Sequence, residues 1–544
     1  MAAWRERSWW GWGWADDALD DDACRRLAET SLRPWLPIDG SVLPVPYDPV
    51  LAPPRLIPPS IMQEAFAADA VTRAAHTYGK AFRDVVRALH GRLYNPPDLV
   101  CYPRTGHDVV AALDWAEAVG AAVVPYGGGT SVVGGVEYRG DNPWVSLDLS
   151  RLNRVIEVDV VNRAVRVQGG VFGPALEQAL APHGLTLRHY PQSFEFSTVG
   201  GWLATRSAGH YATGPTRIDD FVEAMRVITP QGPVESLRVP GSGAGPSTDR
   251  LFLGSEGTLG VIVEAWLRVT DRPARKASAS VAFAVYDQAV AAVRTILQAG
   301  LRPSNCRLLD PVEAMLNAGS TDGRARLLLG FEGATTALLA DALTICADHG
   351  GVATSGGPPS AAPGGDGRSA APAGDEGAAA SGAAASGGAG EVASWRSSFL
   401  RAPYTRDALI RLGLVVETVE TACPWSRFEA LHAAVTAAAQ AAAPARVAVV
   451  TCRLTHAYPD GPAPYFTIIT PARRGAEVVI WDEIKTAVSE AVIANGGTIT
   501  HHHAVGRDHL PWLARQRDPL VTEVLRAAKR TVDPRGILNP GALL

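Results

Sequence analysis

Cysteine is scarce and scattered in this chain. Its six cysteines, Cys24, Cys101, Cys306, Cys346, Cys423 and Cys452, form no CxxC pair. That argues against a zinc ribbon or a disulfide framework and fits a reducing compartment. Strong charge is also missing: the net charge is −5, and the longest like-charged block is the acidic 20–22. No nucleic-acid partner is expected. No apolar run is long enough to span a bilayer, and the N-terminus lacks a signal-peptide core. The closing G-A-L-L is not a peroxisomal address. The expectation is a cytoplasmic protein, with room left for peripheral membrane contact. The 544 residues are enough for two or three domains.

The most informative stretch present is 125–135, P-Y-G-G-G-T-S-V-V-G-G. An apolar run, 121–124, leads into it as a buried strand. Glycine lets backbone approach a ligand closely, so successive N–H groups can converge on an anion. A dinucleotide-binding Rossmann unit needs a helix directly after such glycines. Here E-Y-R-G-D-N-P-W follows, which is turn chemistry, and then the alternating strand W-V-S-L-D-L-S. The Rossmann reading is excluded.

Along the chain, five tryptophans between 4 and 14 must bury against a domain surface, and 39–59 is proline-rich and extended. Residues 60–89 read as helical. Thr105 and Asp108 make a capping box for a helix over 109–119, closed by Gly120. A strand at 164–168 precedes a short helix from Pro174. The segments 190–209 and 251–269 are again rich in glycine and small hydroxyl residues; the second feeds a long apolar strand. From about 273 a second domain begins, with a helix at 286–299 and a strand at 325–331. Residues 352–390 are nearly all Ala, Gly, Ser and Pro and are expected to be disordered, with order resuming at Trp395. A strand region at 451–471 and helices at 477–494 and 521–531 complete the reading.

Four segments, PYGGGTSVVGG, QSFEFST with TRSAG, GSEGTLGVI and DPRGILNPG, resemble in order and spacing the FAD-binding fold of the vanillyl-alcohol oxidase and p-cresol methylhydroxylase superfamily. The resemblance implies an α+β fold. A two-subdomain PCMH-type FAD-binding domain is joined by an α/β cap domain with a mainly antiparallel sheet. Its implied divisions are an N-terminal segment 1–90, the FAD domain 91–273, the cap 274–497 with its insertion 352–390, and a C-terminal active-site segment 498–544. It assigns the cofactor to Pro125, Tyr126, Gly127, Gly128, Gly129, Thr130 and Ser131. It adds Gln192, Ser193, Phe194, Glu195, Phe196, Ser197 and Thr198, with Thr198 near the flavin ring. It further adds Thr205, Arg206, Ser207 and Ala208, and then Glu256, Gly257, Thr258, Leu259, Gly260, Val261 and Ile262. Many members bind flavin covalently through a His where this chain has Thr130, so non-covalent FAD is implied.

The W-G-W-G-W start, P-Y-T-R-D at 403–407 and His501-His502-His503 are similar to the alkyldihydroxyacetone-phosphate synthase family. That resemblance implies exchange of the acyl group of acyl-dihydroxyacetone phosphate for a fatty alcohol, with the ketone fragment carried on flavin N5 and no net redox change. The implied partners are a phosphorylated lipid ketone and a fatty alcohol; a homodimer stays open. Tyr465 stands where the family has its proton-transferring tyrosine, Arg406 where it has its substrate-binding arginine, and Arg307 where it has a second arginine needed for activity, so Arg307 is read as both catalytic and substrate-binding. The bland readings are a half-buried strand tyrosine and salt bridges to Asp407 and Asp310. Histidine suits proton abstraction beside a ketone, which makes His503 the base with His501 and His502 in support. In an extended segment His501 and His503 would share a face. Without a nearby Cys or carboxylate, no metal is expected. The alternative is an FAD-linked oxidase or dehydrogenase of a 2-hydroxy acid, in which an arginine binds the carboxylate. The 352–390 tract departs from the family and bears on the long-chain substrate more than on the flavin.

Overall fold

The computed structural model describes residues 5–356, 360–361 and 401–544. Apolar alternation builds two sheets in the first half of the chain. One has four strands, in the order Phe66–Ala67, Leu99–Cys101, Trp144–Asp148, Ala122–Tyr126. Trp144–Asp148 runs parallel to both of its long neighbours. The glycine loop therefore links parallel strands without an intervening helix, and the Rossmann exclusion holds. The other sheet has five antiparallel strands, with Val261–Arg268 at its centre between Ala164–Gln168 and Val222–Thr229. The capping box closes as expected: the Thr105 side chain accepts from Asp108 N–H, and Gly120 ends the helix in the left-handed region. Such a cap contributes about 1 kcal/mol.

The second half of the chain is dominated by one antiparallel sheet containing Arg275–Phe283, Ala325–Glu332, Asn305–Leu309, Val449–Ala457, Pro462–Pro471 and Leu414–Glu420. Its strands are two-faced. Phe466 and Ile468 pack with Leu431, Val435, Ile484 and Val488 of the helices Trp425–Ala442 and Glu477–Ala494. The alternate residues Tyr465, Thr467 and Ile469 face a cavity instead, as a period of two requires. The fold class expected from the sequence is the one observed.

Several local expectations change. Residues 60–89 are not one helix: Ser60–Ala65 is a tight 3-10 turn, Phe66–Ala67 a strand, and Ala70–Ala75 and Phe82–Leu89 are separate helices. The start of the low-complexity tract is ordered, because Val352–Gly356 adds to the sheet edge at Arg275–Phe283. The expected return of order at Trp395 lies outside the described residues. The helices Trp425–Ala442 and Leu510–Gln516 had no counterpart in the sequence reading.

The tryptophan-rich arm does bury, and it stitches the two halves together. Trp12 N–H donates to Asp407 at 2.6 Å, Trp14 N–H to the Tyr404 hydroxyl at 3.0 Å, and Arg7 to the Gly128 carbonyl at 3.1 Å. Trp12 and Trp14 meet the Phe196 ring edge to face. At the other end of the chain, Asn539 N–H donates to Val123 O, returning the C-terminus to the four-stranded sheet. Phe196→Ala should cost about 3–5 kcal/mol and free the arm. Limited proteolysis should then cut within residues 5–17; an arm that stays protected would show that Phe196 does not anchor it.

Candidate active site

A cavity of about 930 Å³ lies between the glycine loop and the polar face of the large sheet. The loop forms its floor. A Cβ at Gly128 would overlap the Phe196 carbonyl oxygen, and one at Gly127 the Thr198 hydroxyl. These glycines are thus required by packing on 196–198, quite apart from any ligand. Among the described residues, the N–H groups of Gly128, Gly129 and Thr130 have no acceptor. Buried N–H groups are rarely left so, and three adjacent ones lining a cavity fit an anion such as the pyrophosphate of a dinucleotide. Thr198 caps the helix Val199–Thr205 beneath them.

The structure gathers most of the expected cofactor residues on this cavity: Pro125 to Ser131, Gln192, Ser193, Ser197, Thr198, Thr205, Ser207, Ala208, Glu256, Gly257, Gly260 and Ile262. Others stand away from its lining. Phe194 stacks on Trp202, Glu195 accepts from Trp14 Nε1, and Arg206 pairs with Asp219. Phe196 holds the arm, while Thr258, Leu259 and Val261 belong to the turn and the buried strand after it. The carboxylate of Glu256 accepts N–H groups of Val505 and Gly506 at 2.9 and 2.7 Å, so its side chain braces the histidine segment.

On the opposite wall stand Arg307, Arg406, Tyr465, His502 and His503. Arg307 is fully buried and donates to the His210 imidazole at 3.3 Å. The bridge to Asp310 weighed from sequence is not its arrangement; Asp310 caps the helix Pro311–Ala318. Burial, reinforced by the positive charge of Arg453, pushes the Arg307 pKa down to about 9. Arg406 does pair with Asp407, at 2.9 Å, and also donates to Lys80 O.

The histidines are not extended. The N–H groups of His501, His502 and His503 all converge on the Glu420 carboxylate, at 2.5, 3.0 and 2.8 Å, joined by the Thr500 hydroxyl. His501 and His503 therefore do not share a face. His502 and His503 line the cavity, and His501 turns to the Tyr458 hydroxyl at 2.8 Å. Burial opposes ionisation of Glu420, but the adjacent His502 side chain and the converging N–H donors outweigh it and hold its carboxyl well below the usual range. Burial also pushes His501 and His503 down to about 3, so both are neutral near pH 7. Tyr465 touches His503 edge to face, with ring centroids 5.6 Å apart.

Sequence reasoning missed Glu420, Arg453 and His456. The Arg453 guanidinium lies 3.9 Å over the Tyr465 ring and donates to Glu313 at 2.7 Å. Burial raises the Tyr465 pKa, and Arg453 offsets part of the rise. The available signal was Thr451, Arg453 and Thr455 alternating along an otherwise apolar strand. His456 joins them because a register shift falls between Leu454 and His456.

The family description "FAD binding domain" matches residues 97–238, and "FAD linked oxidases, C-terminal domain" matches 272–543. The chain is 30% identical to the alkyldihydroxyacetonephosphate synthase of Dictyostelium discoideum, over 88% of this chain and 78% of that one. Identity to the Trypanosoma brucei brucei enzyme of the same name is 27%, over 100% and 93%. Glycolate oxidase subunit GlcD of Bacillus subtilis is also 27% identical, over 82% and 89%. A solved alkyldihydroxyacetonephosphate synthase superposes with a TM-score of 0.79 at 24% identity, covering 98% of each chain. p-Cresol methylhydroxylase follows at 0.64 and 13%, covering 88% of this chain and 93% of that one. Fold, matched domains and curated relatives agree: this chain belongs to the FAD-linked oxidase family, among its alkyldihydroxyacetonephosphate synthases.

Proposed function

We propose that the protein uses FAD to exchange the acyl group of acyl-dihydroxyacetone phosphate for a fatty alcohol, as the names of its relatives suggest. One observation carries this reading: the cavity lining combines two unlike sets of residues. Arg307, Arg406, Arg453, Tyr465, His502 and His503 make a cationic and hydrogen-bonding set, while Leu19, Leu27, Leu32, Leu409 and Ile469 belong to one apolar cluster. The first suits a phosphorylated ketone, since guanidinium groups match phosphate oxygens; the second suits a hydrocarbon chain. The oxidase alternative leaves the leucine-lined region without a ligand.

Gly128, Gly129 and Thr130 would hold the FAD pyrophosphate through their N–H groups, with Thr198 beneath. We take the flavin to be non-covalent, because Thr130 offers no ring nitrogen for a bond. Bound FAD supplies an electron-poor ring system that can carry a carbon fragment while one chain leaves and another enters. In this reading residues 91–273 are the cofactor domain, 274–497 the cap and 498–544 the active-site segment.

Arg307 and Arg406 bind the phosphate. His503, neutral and held by Glu420, takes the proton from the carbon beside the ketone. Tyr465 passes protons between His503 and the exchanging oxygens, its hydroxyl kept available by Arg453. The C–O bond to the acyl group breaks and a fatty acid leaves; a C–O bond to the alcohol forms, with no net oxidation. Among the described residues no helix is long and apolar enough to cross a membrane. A cytoplasmic or membrane-peripheral location would suit its lipid substrates.

Mixing the yellow protein anaerobically with labelled fatty alcohol and acyl-dihydroxyacetone phosphate should give labelled ether product without bleaching of the flavin. Bleaching by a hydroxy acid would overturn the reading in favour of an oxidase. His503→Ala and Tyr465→Phe should retain flavin and lose about 10²–10⁴-fold in turnover. Gly128→Val should lose flavin. Full activity in His503→Ala would remove it as the base.

The lowered histidine pKa values set the acid limb of stability. Between about 3 and the ordinary 6.5, the unfolded chain binds protons at His501, His503 and His509 that the fold refuses. These histidines lower stability as pH drops from 6.5 toward 3, partly offset by Asp508 and Asp310, whose pKa values burial raises to about 7 and about 6. Melting temperatures across that window test this; a flat profile between pH 6.5 and 4 would refute it.

A further inference from the structure

We propose that His456, His501 and His502 form a binding site for one divalent ion of the zinc class, reached from the catalytic cavity. The three side chains come from two distant segments, and one ligating atom from each lies within 4.8 Å of the other two. Two of them are already closer: the Nδ1 atoms of His501 and His502 are 3.0 Å apart. Zinc–nitrogen bonds of about 2.0–2.1 Å set tetrahedral ligand edges of roughly 3.3 Å, so modest side-chain adjustment would complete the triad.

The rest of each ring is arranged as a metal ligand requires. A ligating imidazole donates its other N–H to a carbonyl or similar acceptor, which fixes the tautomer. His456 Nε2 lies 2.8 Å from Gly209 O, so it must carry the proton. That leaves Nδ1 as a bare acceptor, and this atom is buried without a hydrogen-bond partner. His501 Nε2 lies 2.8 Å from the Tyr458 hydroxyl, which can accept its proton when Nδ1 ligates. Glu420 adds negative charge 3.4 Å from His502 Nδ1. Arg307 and Arg217 face the cluster and oppose a cation; the ionised Glu420 offsets one of them.

His456 and His502 line the cavity, which gives the ion a route in and leaves a fourth position for water or a substrate oxygen. Occupancy engages the His502 nitrogen that faces the histidine pair. Inhibition of acyl–alkyl exchange by the ion rests on the function proposed above; binding of the ion does not.

The test uses holoenzyme stripped with EDTA, without substrate. Calorimetric titration with Zn²⁺ should show one ion per chain. Titration with Co²⁺ should give the visible difference bands of a four-coordinate nitrogen site. His456→Gln should abolish uptake, and Tyr458→Phe, which touches only the outer edge of His501, should weaken it about tenfold. Retained flavin colour confirms that each variant is folded; if His456→Gln does not fold, Tyr458→Phe decides. Absence of saturable uptake by the wild type, or uptake unchanged in either folded variant, overturns the proposal. Because no substrate is present, failure here is distinct from failure of the exchange reaction.

Discussion

Two buried carboxylates, one from each half of the molecule, hold the segment on which the site depends. Glu420, at the end of a strand of the large sheet, collects the N–H groups of His501, His502 and His503. Glu256, in the turn before the central strand of the five-stranded sheet, collects those of Val505 and Gly506. A buried carboxylate costs several kcal/mol unless its lone pairs are satisfied, whereas a hydrogen bond to a charged group contributes about 1.5–3 kcal/mol. Neither carboxylate is therefore tolerable without the segment, and among the described residues no other acceptor takes these N–H groups. Glu256 itself sits at positive φ, and so does Ala504. Tight turns on both sides let five main-chain donors aim at two acceptors within six residues.

This clamp explains why the histidines were only half legible. Their presence as a run is plain in the sequence, but the inference about faces assumed extended backbone. Convergence of consecutive N–H groups on one acceptor requires a bend, and a bend sends neighbouring side chains to different places. Nothing local announces it, because the cause is Glu420, some eighty residues earlier. Glu420 in turn looks like an ordinary strand-end glutamate. The same holds for Arg453. Its meaning comes from Tyr465, its partner across the antiparallel pair, and pairings between strands are not written in either strand alone.

The glycine loop was legible for the opposite reason. Its requirements are local, and the turn chemistry after it removed the Rossmann option without any tertiary information. Even so, the physical cause proved partly different from the one read. Gly127 and Gly128 are small because the 196–198 backbone and the Thr198 hydroxyl press against them. The free N–H groups of Gly128, Gly129 and Thr130 are the part that concerns a ligand. A residue pattern can thus point to the right site while two separate constraints share the credit, one for packing and one for recognition.

The opposite wall carries a deeply buried positive charge. Arg307 is fully buried on the cavity face of the sheet, opposite Leu328 on the neighbouring strand, and its lowered pKa records a charge held against desolvation. Arg453 raises that cost by adding like charge, while its own pairing with Glu313 keeps it ionised. In the function proposed above, a phosphate entering the cavity would return the Arg307 pKa toward its ordinary value. The neutral state of His503 belongs to the same economy of charge. Burial, together with the nearby Lys485 and Arg453, keeps the His503 imidazole unprotonated, although Glu420 pulls the other way.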